Sequence, residues 1–191
     1  MKRSDTGSKR RYLPVLLLAL MVPLALAGIA IADSGGRSDA AKAQSATAKY
    51  HDLDAALAAG YGELPAIQST SKVQATNGCA SSTDGLGAMG VHYIHPNPDG
   101  SPFDDKVDAQ NPEVLVYEPR ANGKMKLVAL EYVSSIPQTL FGQDFTKTDL
   151  APYVGGDEGK VFAWTLHAWI WDPNPTGVLM PWNPRVTCSN A

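Results

Sequence analysis

The sequence predicts an α+β domain: a single curved antiparallel β-sheet with an N-terminal helix, closed by a disulfide. Three observations carry that prediction. One stretch, "TAKYHDLDAALAAGY", repeats its large side chains at helical spacing. Prolines and glycines then cut the chain into short extended runs, as in an all-antiparallel sheet. The only two cysteines, Cys79 and Cys188, stand near the two ends of that region.

Residues 1–32 read as an export signal. Lys2, Arg3, Lys9, Arg10 and Arg11 form a basic head, Leu13 to Ile31 is apolar, and Ala30-Ile31-Ala32 is a small-x-small cleavage site. About 19 apolar residues nearly span a bilayer, so an uncleaved anchor is the alternative. The polar stretch that follows favours cleavage, leaving no stable membrane anchor. Arg10-Arg11 keeps twin-arginine export open beside the general route. Either route makes the protein secreted or extracytoplasmic. Cleavage removes five basic residues and Asp5, leaving 11 basic against 18 acidic residues, net −7. That charge excludes nucleic acid and anionic membranes as partners.

In an oxidising compartment an isolated cysteine pair forms a disulfide. The alternative, a pair of metal-binding thiolates, lacks neighbours of the right type. Residues 33–46, "DSGGRSDAAKAQSA", are small and polar and predict a flexible leader. Residues 47–191 form the single domain. In its helix Tyr50, Leu53 and Leu57 share a face, Thr47 is a candidate cap and Gly60 a candidate stop. The clearest strand pair is "EVLVYEP" with "KMKLVALEYV", joined through Asn122-Gly123. "MGVHYIH", "KVFAWTLHAWIW" and the terminal "RVTC" supply further strands, and 137–160 reads as loop with room for one helical turn. A short echo links "HYIHPNPDG" and "WIWDPNPTG".

Standard catalytic signatures fail. "GLGAMG" matches the G-x-G-x-x-G dinucleotide pattern, but a polar loop precedes it and a strand follows, so no helix N-terminus meets a pyrophosphate. The chain has no G-x-S-x-G elbow and no H-E-x-x-H helix.

Three anomalies remain. On "MKLVALEYV", Glu131 shares a face with Met125, Leu127, Ala129 and Val133, where a lone carboxylate is costly unless compensated. On the long strand, His167 shares a face with Thr165, Trp169 and Trp171. On "GVHYIH", His92 shares a face with Ile94. If these faces converge, His92, Glu131 and His167 form a two-histidine, one-carboxylate set suited to one divalent metal: zinc, or iron or manganese with open positions. His51 and Glu118 are reserve ligands. The alternatives are hydrogen-bonded core histidines with a paired carboxylate, and metal-free acid–base catalysis. All four tryptophans lie in the last 28 residues. Trp169, Trp171 and Trp182 could stack on sugar rings or enclose an apolar ligand.

Taken together, "KYHDLDAALAAGY", "GAMGVHYIHP", "EVLVYEP", "LVALEYV" and "LHAWIWDPNPTGVLMPWNPRVTC" resemble an uncharacterised family of secreted bacterial proteins, over roughly Tyr50 to Cys188. The resemblance implies a single exported domain and brings no activity, ligand or catalytic residue. Three functions are left to separate: binding of a small molecule or metal ion at His92, Glu131 and His167; a metal-dependent hydrolase or oxygenase using the same residues; and a carbohydrate or cell-envelope binding module using the tryptophans.

Overall fold

The computed structural model describes residues 34–64, 67–95, 103–151, 159 and 161–191. The expected export signal, residues 1–32, lies outside them, as does the first Pro-Asn-Pro turn of the echo. No helix among the described residues is long and apolar enough to cross a membrane.

The fold is the predicted α+β arrangement. Helical segments α1 (Ser34–Thr47), a 3-10 turn (Ala48–His51) and α2 (Leu53–Ala58) precede ten strands. These are β1 (Gly62–Glu63), β2 (Val73–Thr76), β3 (Cys79–Ser82), β4 (Ala88–Ile94), β5 (Val114–Pro119), β6 (Met125–Ser134), β7 (Thr139–Leu140), β8 (Gln143–Asp144), β9 (Thr146–Asp149) and β10 (Phe162–Ala168). The main sheet is antiparallel in the order β2-β3-β4-β5-β6-β10-β9, with β1 beside β4; β7 and β8 form a separate hairpin.

The N-terminal segment departs from expectation. Residues 33–46 are not a flexible leader: from Ser34 they are helical, and Gly36, Ala40, Ala43 and Thr47 are buried along one stripe. Composition alone counts these residues as small and polar, but at spacings of three and four they let a helix approach the sheet closely. Gln44 donates to the Ile170 carbonyl, and Asp39 accepts the Phe141 amide. Thr47 closes α1, donating its hydroxyl to the Ala43 carbonyl, and caps nothing. The helix expected from there is interrupted at Asp52, whose extended backbone and side chain, accepting the Asp54 amide, start α2 afresh. Its end is as expected: Gly60 and Tyr61 amides return to Leu57 and Ala56 carbonyls.

Several strands lie where the sequence reading places none. Asn77 and Gly78 both adopt positive φ (46° and 79°), the two-residue turn whose twist suits a β2–β3 hairpin. Inside 137–160, expected as loop with room for one helical turn, lie β7, β8 and β9; 152–158 and 160 are outside the described residues. Conversely, "RVTC" is not a strand. Its Thr187 amide is spent on the Glu118 carboxylate and Cys188 is tied to Cys79, leaving a single bridge between Ala88 and Asn183 in that region.

Two bulges set the curvature. Val116 pairs with Ala129 while Tyr117 pairs with Leu127, so Val128 is an extra residue on β6. Ala80 pairs with Gly90 while Ser81 pairs with Ala88, so Met89 is extra on β4. Each bulge bends its strand and increases the twist. Gly90 next to the second has φ 119°, and a Cβ there would lie 2.5 Å from the Tyr117 carbonyl oxygen. The resulting curl is strong enough that residues near opposite ends of the sheet, Val73 and Thr148, line one cavity.

The β6 bulge also accounts for two corrections. The alternation slips by one at Val128, so Met125 and Leu127 pack toward the helical segments with Leu130 and Tyr132, away from Glu131. The Val128 carbonyl, free of the ladder, accepts the Trp171 and Asp172 amides. β10 therefore ends at Ala168, and the strand expected through Trp171 is shorter.

The helices cover the outer face, whose core includes Tyr50, Tyr93, Tyr117 and Tyr132; the inner face holds Val114, Val116, Ala129, Val133 and Trp169. The predicted disulfide is present, Cys79 to Cys188, with Cα atoms 5.6 Å apart and a separation of 109 residues. Closing so long a loop contributes about 4–5 kcal/mol in the chain-entropy account.

Candidate metal centre

Glu131 on β6 faces His167 on β10 directly across the ladder, and faces Val114 on β5 on its other side. His92 on β4 is opposite Val116. Two strand spacings, about 10 Å, separate the backbones of β4 and β6. Their side chains nevertheless meet, because the face is concave and only the short Val114 and Val116 stand between. His92 Nε2 is 3.5 Å from Glu131 Oε2, and His167 Nδ1 is 3.6 Å from Glu131 Oε1. The two imidazoles stand edge to face, with centroids 5.9 Å apart. One ligand-type atom from each residue falls within 4.8 Å of the other two.

All three are buried, with 2% of His92, 8% of Glu131 and 5% of His167 exposed. Burial raises the Glu131 pKa to about 8, helped by the negative charge of Glu113. Burial lowers His92 to about 4, opposed by a hydrogen bond with the Gly90 backbone. It lowers His167 to about 3, with His92 adding to the effect. Near neutral pH the metal-free trio is uncharged, so its two short contacts are not ion pairs. Among the described residues no lysine or arginine pairs with Glu131, and His167 Nε2 is buried without a hydrogen-bond partner.

The donors fit a divalent ion. Two bonds of about 2.1 Å at a tetrahedral angle hold ligand atoms about 3.4 Å apart; each histidine nitrogen lies near that distance, 3.5 and 3.6 Å, from a different oxygen of Glu131, and one ligand atom from each residue lies within 4.8 Å of the others. Both imidazoles are in the neutral form that ligates, and the carboxylate needs to lose one proton.

The trio forms the inner end of a cavity of about 270 Å³ between the curled sheet, Phe103 and the Pro181-Trp182 segment. Met89, Ile94 and Leu150 line its sides, and Lys72 is an exposed residue of its lining. Thr148, Leu150 and Phe103 carry no sequence signal: their segments read as loop, and only the curl brings them here.

The reserve ligands are elsewhere. His51 is exposed and packs its ring on Trp171 at 4.3 Å, on the helical side. Glu118 is buried, bonded to Arg120 Nη2 at 3.1 Å and to the Thr187 amide. The tryptophans do not form one stacking surface. Trp169 is 1% exposed, its ring stacked beside His167 and its Nε1 donating to the Met180 carbonyl. Trp171 donates to Thr47 Oγ1 in the outer core. Of the three, Trp182 alone lines the cavity. With β10 ending at Ala168, the face the sequence reading assigned to Trp169 and Trp171 does not exist.

No protein-family model, curated protein or solved structure matches the chain, so its function has to be read from this centre and the cavity above it.

Proposed function

We propose that the protein is an exported metal-binding protein whose His92, Glu131 and His167 hold one divalent cation, zinc before iron or manganese, at the inner end of a small-molecule pocket. The observation that carries this is the burial of Glu131 between His92 and His167. Three ligand-type side chains from three strands converge on the concave face, and among the described residues no lysine or arginine pairs with the carboxylate. A buried carboxylate without a compensating cation is costly, and a metal ion held by it and the two neutral imidazoles would supply that charge. Export is supported by the basic head, apolar run and Ala-Ile-Ala site of residues 1–32, and the disulfide is compatible with it.

A metal-dependent hydrolase or oxygenase is the second reading, favoured by the cavity that opens onto the centre. Three protein ligands leave a position for water or substrate, and a bound ion would acidify that water or polarise a carbonyl. Residues of this chain would then exclude solvent and hold the substrate against the apolar walls.

Elemental analysis of the protein secreted natively, purified without chelators or a histidine tag, tests the reading. The expected result is about one zinc, iron or manganese per chain, lost in His92→Ala and His167→Ala. Background metal in the wild type, even after reloading, sinks the three-ligand site.

A further inference from the structure

The polar groups of the cavity sort by depth. His92, Glu131 and His167 are buried, and Lys72 is exposed. The Thr148 and Thr165 hydroxyls, also in the lining, are engaged with each other at 2.8 Å. The remaining walls are largely hydrocarbon and aromatic, with Met89, Ile94, Phe103, Leu150 and Trp182 among them. Such walls suit an apolar body and offer little to a polyhydroxylated one.

Charge then selects the head group. A ligating glutamate is an anion and a ligating imidazole is neutral, so a divalent ion on this trio leaves a net charge of +1. A lone positive charge at the buried end of a low-dielectric pocket attracts one compensating anion strongly, and a second negative charge at that end, away from the exposed Lys72, would be left unpaired. Size sets the third limit. A cavity of about 270 Å³ has room for roughly nine waters at about 30 Å³ each; it is open on one side, so this sets the part of a ligand held inside at about ten non-hydrogen atoms.

Resting on the metal reading above, we infer that the pocket takes a monocarboxylate with an apolar body, about ten of its non-hydrogen atoms held inside, its carboxylate on the metal and its body against Ile94, Phe103, Leu150 and Trp182. The opposite orientation, with the carboxylate on Lys72 and the apolar end at the trio, leaves the +1 centre uncompensated and is the rival the test must separate.

The probe is octanoate, with octylammonium as its charge-reversed match, titrated calorimetrically into zinc-loaded and chelator-stripped protein, with zinc content measured on the same samples. The expected result is one zinc per chain, octanoate binding at least about tenfold tighter to the zinc-loaded form, and no binding of octylammonium. Ile94→Trp, which fills the cavity, should keep its zinc and lose octanoate; retained zinc shows that this variant folds. Lys72→Ala should leave octanoate affinity within about twofold. If zinc binds and octanoate binds no better than to stripped protein, or if binding depends on Lys72 and not on zinc, the ligand inference is overturned and the metal site stands. If zinc does not bind, both fall.

Discussion

Glu131 and His167 are a register pair: they face each other across β6 and β10, with Glu131 Oε1 3.6 Å from His167 Nδ1. Neither is charged near pH 7 in the metal-free protein, because burial holds the carboxyl up at about 8 and the imidazole down at about 3. The pair is thus primed to gain from a cation and gains little from itself.

The first prediction concerns stability of the metal-free protein against pH. Glu131 titrates near 4.5 when unfolded and near 8 when folded. Between those values the folded state holds the extra proton, so stability falls as pH rises, by at most about 1.4 kcal/mol per unit. His92 and His167, lowered to about 4 and about 3, act oppositely, adding stability up to their unfolded value of 6.5. Glu113, raised to about 7 by burial, acts with Glu131. The net loss should therefore be steepest from about pH 6.5 to 8. Urea unfolding in excess chelator checks it, and Glu131→Gln should flatten that interval; an unchanged slope in the variant contradicts the assignment.

Metal uptake should release one proton below pH 8. The imidazoles are already neutral, so only Glu131 competes, and log affinity should rise by about one per pH unit from 5 to about 8, then level. A competition titration against a chromophoric chelator reads the slope. A slope near two would mean that a histidine is protonated in the free protein, against its burial.

Bound metal should stabilise the fold. At a free ion concentration of 100 times Kd the gain is about 2.7 kcal/mol. Thermal unfolding with and without chelator should differ by several degrees in the wild type and coincide in His167→Ala. A chelator effect that survives in the variant would place the metal elsewhere.

Removing the disulfide should separate stability from metal binding. Cys79 is on β3 and Cys188 near the C-terminus, whereas the trio sits on β4, β6 and β10. The double variant Cys79→Ala/Cys188→Ala should lose about 2–5 kcal/mol of unfolding free energy and keep its metal stoichiometry, as measured by denaturation and elemental analysis.

Part of this was readable residue by residue. His92, Glu131 and His167 each break a local apolar pattern, and a polar side chain in a buried run is an anomaly visible without knowing the fold. The lone cysteine pair and the Asn122-Gly123 hairpin are signals of the same kind. The Asn77-Gly78 turn carried an equally good signal and joins two strands left out of the sequence reading. Composition hides α1, because it does not register the spacing of Gly36, Ala40, Ala43 and Thr47.

Local pattern therefore names the cast: which side chains are out of place, and which strands carry them. Whether they meet was decided by register, by the extra residues Met89 and Val128, and by the curl these impose. A single bulge changes which face every later residue occupies. That slip separated Met125 and Leu127 from Glu131 and turned the chain after Ala168, carrying Trp169 and Trp171 into two different cores. Alternation along one strand cannot reveal it, because a bulge is defined only by the partner strand, and the 3.5 Å between His92 and Glu131 exists only once the sheet is curled.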